Sequence, residues 1–134
     1  MSSRTTDTTT FFAPHLAIRV LRPAIEFYQK AFDAKVLHTW DNEDGSVHVA
    51  EMEILGAMFH LHEEGPHNSQ LSPETLKATS LLIGLFTPDP DRFMRQAADA
   101  GGRISHPIQD YEYGYRQGTI VDPFGHQWLI QKKI

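Results

Sequence analysis

Phe27 and Phe93 stand 66 positions apart (93 − 27), and the same shift carries Ala31 onto Ala97, Asp33 onto Asp99 and Ala34 onto Ala100. Further on, Gly56 matches Gly125 at a shift of 69 (125 − 56), so a small insertion separates the two stretches. Internal repetition limits what such a chain can fold into more than any composition figure does, because each copy must build the same unit. In a chain of 134 residues a unit of half that length is too small to bury its own sheet face, so the copies must share a core.

Each copy reads as strand, helix and three strands. PHLAIRV (14–20) alternates, with Leu16, Ile18 and Val20 on one side and His15, Ala17 and Arg19 on the other, the pattern of a half-buried strand. PAIEFYQKAFDA (23–34) changes to helical spacing, with Ile25, Phe27, Tyr28, Ala31 and Phe32 on one flank and proline at its start. KVLHTW (35–40), VHVAEMEI (47–54) and AMFHLHEE (57–64) follow as strands, the last two joined by a tight Leu55-Gly56 hairpin. A polar connector with one helical turn at SPETL occupies 65–79. The order then restarts with SLLIGLF (80–86) and a helix over 89–102, with Asp89 as N-cap, Pro90 in the first turn and Gly101 at its end. RISHPI, GTIVD and HQWLIQ supply three more strands. The expected division is a loose polar tail at 1–12, a first module at 13–64, the connector, and a second module at 80–134.

Composition excludes several function classes. The formal net charge is −5, and no basic cluster is longer than Lys132-Lys133, which argues against nucleic acid and acidic membrane surfaces as partners. There is no cysteine, hence no disulfide, thiolate metal site or thiol nucleophile. No apolar run is long enough to span a membrane, and MSSRTTDTTT lacks an apolar signal core, so the expected location is the cytoplasm. Glycine-rich phosphate loops, serine triads and zinc-protease motifs are absent.

Chemistry is concentrated in FHLHEEG (59–65). If this stretch is extended, His60 and His62 share a face with Met58, while Phe59 and Leu61 face the core. Imidazole is the commonest metal ligand, and its bland alternative is a polar residue meeting ligand or water. A two-residue turn at Leu55-Gly56 pairs Ile54 with Ala57 and sets Glu51 opposite His60. There Glu51 could orient the imidazole, bind a metal or serve as catalytic base, or simply hydrogen-bond its neighbours. In DYEYGYRQG (110–118), Tyr111, Tyr113 and Tyr115 alternate beside Arg116, a set suited to a flat or anionic ligand and equally to a strand-edge or dimer contact. His38, His48, His67, His106 and His126 are expected to have surface roles.

HLAIRV followed by PAIEFYQKAF, the duplication, and DPFGHQWLI (122–130) together resemble the vicinal oxygen chelate superfamily of glyoxalases, bleomycin and fosfomycin resistance proteins and extradiol dioxygenases. AIEFYQKAF, VHVAEMEI and YRQGTIVDPFGHQW look most like its PhnB-like, glyoxalase-related branch. The resemblance implies an α+β fold of two tandem βαβββ modules, forming a curled mixed sheet around a central cup with helices outside. It would turn His15, Arg19, His60, His62, Gln127 and Leu129 into the cup, and Leu16, Ile18, Val20, Phe59, Leu61, Trp128 and Ile130 toward the helices. Metal-using relatives carry ligands on the first and last strands of each module. That spacing falls on His15 and His60 in the first module, but on Leu81 and Leu129 in the second. His15, His60 and Glu51 would be the ligands of a divalent zinc, nickel or iron ion. Arg19, His62, Tyr111, Tyr113, Tyr115, Arg116 and Gln127 would contact a small oxygenated or anionic molecule. The resemblance thus implies a glyoxalase-like homodimer, either a metal-dependent lyase or isomerase or a metal-free binding protein.

Overall fold

The helices of this chain begin and end where local chemistry dictates. In the computed structural model, which describes residues 9–65 and 70–134, α1 (Leu21–Phe32) carries Pro23 in its first turn, where backbone N–H groups lack partners in any helix. It stops at Asp33, whose φ of 56° is left-handed and whose N–H bonds Tyr28 O. In α3 (Pro90–Asp99) the Asp89 carboxylate accepts from Arg92 N at 3.2 Å, capping the end that Pro90 opens. The short α2 (Pro73–Leu76) is capped in the same way by Ser72, whose oxygen accepts from Thr75 N.

Around these helices run β1 (His15–Ile18), β2 (Lys35–Asp41), β3 (Val47–Ile54), β4 (Ala57–Glu63), β5 (Leu82–Phe86), β6 (Arg103–Tyr111), β7 (Tyr115–Val121) and β8 (Gln127–Lys133). They form two four-stranded mixed sheets, ordered β1-β4-β3-β2 and β5-β8-β7-β6. In each sheet the first strand lies parallel to the last and the other pairs are antiparallel. The repeat seen in sequence is therefore a repeat of topology. The sheets do not close into a barrel. Residues 1–8 of the expected tail, and 66–69 of the connector with His67, lie outside the described residues.

Each long helix has a buried flank and a solvent-exposed flank, as a helix lying on the outside of a sheet does. α1 and α3 pack on each other: the Phe32 and Phe93 rings are 5.7 Å apart, Gln96 Nε2 donates to Ala31 O at 3.2 Å, and Arg92 meets Asp33 at 2.9 Å. Each helix has an apolar face wide enough to bury against its own sheet and its partner helix together. Phe27 and Phe93, the anchors of the repeat, are both buried. Leu16, Ile18, Phe59, Leu61, Trp128 and Ile130 face the core as expected, but Val20 is 63% exposed. The reason is local: β1 ends at Ile18, and Val20 already serves as the N-cap of α1.

One polar network crosses between the halves. Buried Asp122 accepts from Tyr28 OH, from Trp128 Nε1 at 2.9 Å and from the backbone N–H groups of Phe124 and His126. Burial first, and the Asp122 charge second, push the Tyr28 phenol well above its ordinary pKa. His126, expected at the surface, is buried: Nε2 donates to Ala17 O at 3.0 Å, and Nδ1 has no partner among the described residues. The DPFGH turn (122–126) folds inward and fastens the second half to β1.

Candidate functional site

The Leu55-Gly56 turn fixes the site's register. Both residues have positive φ, 49° and 93°, as a two-residue hairpin of type I′ requires. Ile54 therefore pairs with Ala57 and Glu51 with His60, as the spacing predicted. On the other side of β4, the parallel ladder sets His15 beside His60 and Ala17 beside His62.

Three imidazoles and a carboxylate consequently share one face of the first sheet. The His15 and His60 rings stack 4.4 Å apart with planes 8° from parallel. His62 leans across from its position opposite Ala17, so that its Nε2 lies 2.8 Å from His15 Nδ1. His62 is thus a direct partner of His15, although only His60 lies opposite it in the ladder. Glu51 Oε2 stands 3.4 Å from His60 Nε2, and His60 Nδ1 is buried with no partner among the described residues. Burial and the neighbouring imidazoles hold the pKa values of His15 and His62 below the usual histidine value, burial being the larger cause in each.

With the rings stacked, this donor set does not converge on a metal ion. A cation shared by two imidazoles lies in the plane of both rings, along a nitrogen lone pair, and two nearly parallel stacked rings have no such common point. Among the described residues no group of three or more His, Cys, Asp or Glu side chains is disposed to hold a metal. The second half supplies no ligand, and its register corrects the position expected there. Leu129, the counterpart of His60, pairs with Gly84, so Gly84 rather than Leu81 matches His15. Gln131, two residues beyond Leu129, leans over that glycine as His62 leans toward His15. A Cβ at Gly84 would come within 2.8 Å of Gln131 Nε2.

A groove of about 1190 Å³ opens beside the histidine cluster. The β3–β4 hairpin walls one side of it, β5 and Trp128 the other, and Phe11, Phe12 and Pro14 border it. Glu51 belongs to both the groove and the cluster. It is the one sequence-predicted site residue in the groove wall.

The other candidates stand apart. Arg116 donates from Nε and a terminal nitrogen to Asp91, at 2.9 and 2.7 Å, and to Asp110 at 2.8 Å. Those bonds hold the Asp91 carboxyl below its usual range and leave the guanidinium engaged. At the β6–β7 hairpin Tyr111 stacks on Tyr113 with centroids 5.3 Å apart, and Tyr115 tilts against Tyr113 at 5.9 Å. Arg19 lies beyond the end of β1, 3.7 Å from Glu64, and Gln127 donates to Leu81 O. Sequence reasoning missed Glu53, Gly84 and the Phe11-Phe12 pair. Glu53 was within reach, since it follows Glu51 by two residues on the same strand face.

Comparison with known proteins agrees with this architecture. A family model described as Glyoxalase/Bleomycin resistance protein/Dioxygenase superfamily matches residues 12–130. An uncharacterized protein of Mycobacterium bovis is 32% identical over 125 residues, covering 91% of this chain and 82% of that protein. Among solved structures, TioX from Micromonospora sp. ML1 superposes with a TM-score of 0.73 at 20% identity, covering 93% of this chain and 97% of that one. A bleomycin-binding protein complexed with bleomycin superposes with a TM-score of 0.68 at 19% identity, covering 94% of this chain and 100% of that one. Two βαβββ units on one chain, the DPFGH turn and a family match over nearly the whole sequence lead to one assignment: this chain belongs to the glyoxalase/bleomycin resistance protein/dioxygenase superfamily.

Proposed function

We propose that the chain is a metal-free small-molecule-binding protein, with the groove between its halves as the ligand site. The observation that carries this reading is the stacking of His15 on His60, which leaves the imidazoles paired with one another and with Glu51 instead of converging on a cation. A groove of about 1190 Å³ is large enough for a drug-sized molecule. The bleomycin complex of a structural neighbour is the precedent for ligand binding on this fold.

A second reading has its own support. His15, His60, His62 and Glu51 share one face, and turning the His15 ring out of the stack would free donors for a metal-dependent lyase or isomerase. Elemental analysis of tag-free protein, dialysed against zinc, nickel and iron in turn, separates the two. The binding reading expects no stoichiometric metal. Uptake of about one ion per chain, abolished in His60→Ala, would establish the metal-dependent reading instead. We further propose a homodimer as the working form, because Leu82 and Phe86 are 49% and 55% exposed on the second sheet.

A further inference from the structure

The groove's lining specifies the charge of its ligand. Its walls include Met58, Phe59, Ile83 and Leu85, and none of its lining residues is lysine, arginine or histidine. The charged residues in that lining are Glu51 and Glu53. They stand two apart on β3, so both carboxylates project from one face of the strand. Glu51 Oε2 lies 3.4 Å from His60 Nε2. The Glu53 carboxylate has no hydrogen bond or ion pair among the described residues; Lys35, its neighbour in the β2–β3 ladder, forms no ion pair with it. An unpaired carboxylate on an apolar wall attracts a cation and repels an anion.

At the border, Phe11 and Phe12 are 59% and 99% exposed, so two adjacent rings have apolar area still to bury. The cation expected to meet an anionic ligand, Arg116, is held by Asp91 and Asp110 and does not line the groove. Charge and shape thus favour the opposite polarity from the one suggested by the sequence.

We propose that the groove receives an organic cation, a protonated amine or guanidinium carried on an apolar, ring-bearing body. Glu53 takes the charged group in a charge-assisted hydrogen bond, with Glu51 as its second carboxylate. The body lies along Met58, Ile83 and Leu85, and Phe11 and Phe12 close over it, where an aromatic face also favours a cation. The inference rests on the ligand-binding reading and narrows it to one ligand class.

Three probes of equal size test it by calorimetry on the full chain: 1-naphthylmethylammonium, neutral 1-naphthylmethanol and anionic 1-naphthoate. The ammonium should bind about tenfold or more tighter than the alcohol, with the naphthoate weakest. Glu53→Gln should remove the ammonium's advantage and leave the alcohol unchanged. Added salt should weaken the ammonium alone. Equal affinity for ammonium and alcohol, or tighter binding of naphthoate, overturns the charge assignment while leaving the groove a binding site. Failure of all three probes to bind overturns both the inference and the ligand-binding reading beneath it.

Discussion

The surroundings of His15 and His62 lower their pKa values, and that has a consequence for stability. Their folded pKa values lie below the ordinary histidine value of 6.5, chiefly through burial. The unfolded chain therefore takes up protons first as pH falls. Their contribution is complete above about pH 6.5 and is lost as pH drops from there through the lower folded values. Urea unfolding between pH 7.5 and pH 5 should show falling stability, with a shallower fall in a His15→Gln/His62→Gln double variant. Parallel profiles for the two proteins would assign the acid sensitivity to other groups. His48, paired with Glu63 at 3.2 Å, is the nearby histidine that both proteins retain with a carboxylate partner outside the cluster.

At the scale of the element, the β3–β4 hairpin carries the site, because its register decides which residue faces His60. Leu55 occupies left-handed backbone at φ 49° while 64% exposed, so it bears the conformational cost without repaying it by burial. Asparagine accepts that conformation readily. Leu55→Asn should therefore stabilise the protein by about 0.5–1 kcal/mol. Gly56→Ala, at φ 93°, should destabilise it by about 1 kcal/mol or more. Thermal melts of the two variants should move in opposite directions. Displacement of both midpoints the same way would mean that the turn's backbone conformation is not what sets its stability. In sequence, the residue pair at the turn, the alternation on β3 and the alternation on β4 were enough to place Glu51 opposite His60. They could not show His62 reaching across to His15, since a side chain's lean depends on what fills the space around it.

Across the whole molecule, the two halves are joined by α1 on α3 and by the Asp122 network, which ties Tyr28 in one half to Trp128 in the other. Tyr28 is fully buried against Phe59 and Trp128, so removing its hydroxyl leaves the packing in place and deprives Asp122 of one donor. Tyr28→Phe should cost about 1–3 kcal/mol, read as a lower urea midpoint. Unfolding should remain a single transition, because Phe32, Phe93 and Trp128 still bridge the halves. Two resolved transitions would show that the phenol holds the halves together, with the aromatic contacts secondary.

What the sequence determined by itself was local or repetitive. Alternation marked the strands, the capping residue Asp89 marked a helix start, and the shift from Phe27 to Phe93 announced that one topology would occur twice. These depend on neighbours within a few residues or on a period, both of which can be read along a chain. Tertiary structure decided the rest. His126 reads as a turn residue until the turn folds onto β1 and its imidazole meets Ala17 O. Arg116 reads as a free cation until α3 brings Asp91 to it from 25 residues away. Stacking of His15 on His60 follows from a parallel pairing of strands 45 residues apart (60 − 15), and that stacking turns a plausible metal set into paired imidazoles. The spacing of residues says which groups can share a face, but the orientation of ring planes and the pairing of charges are fixed only when distant segments pack together.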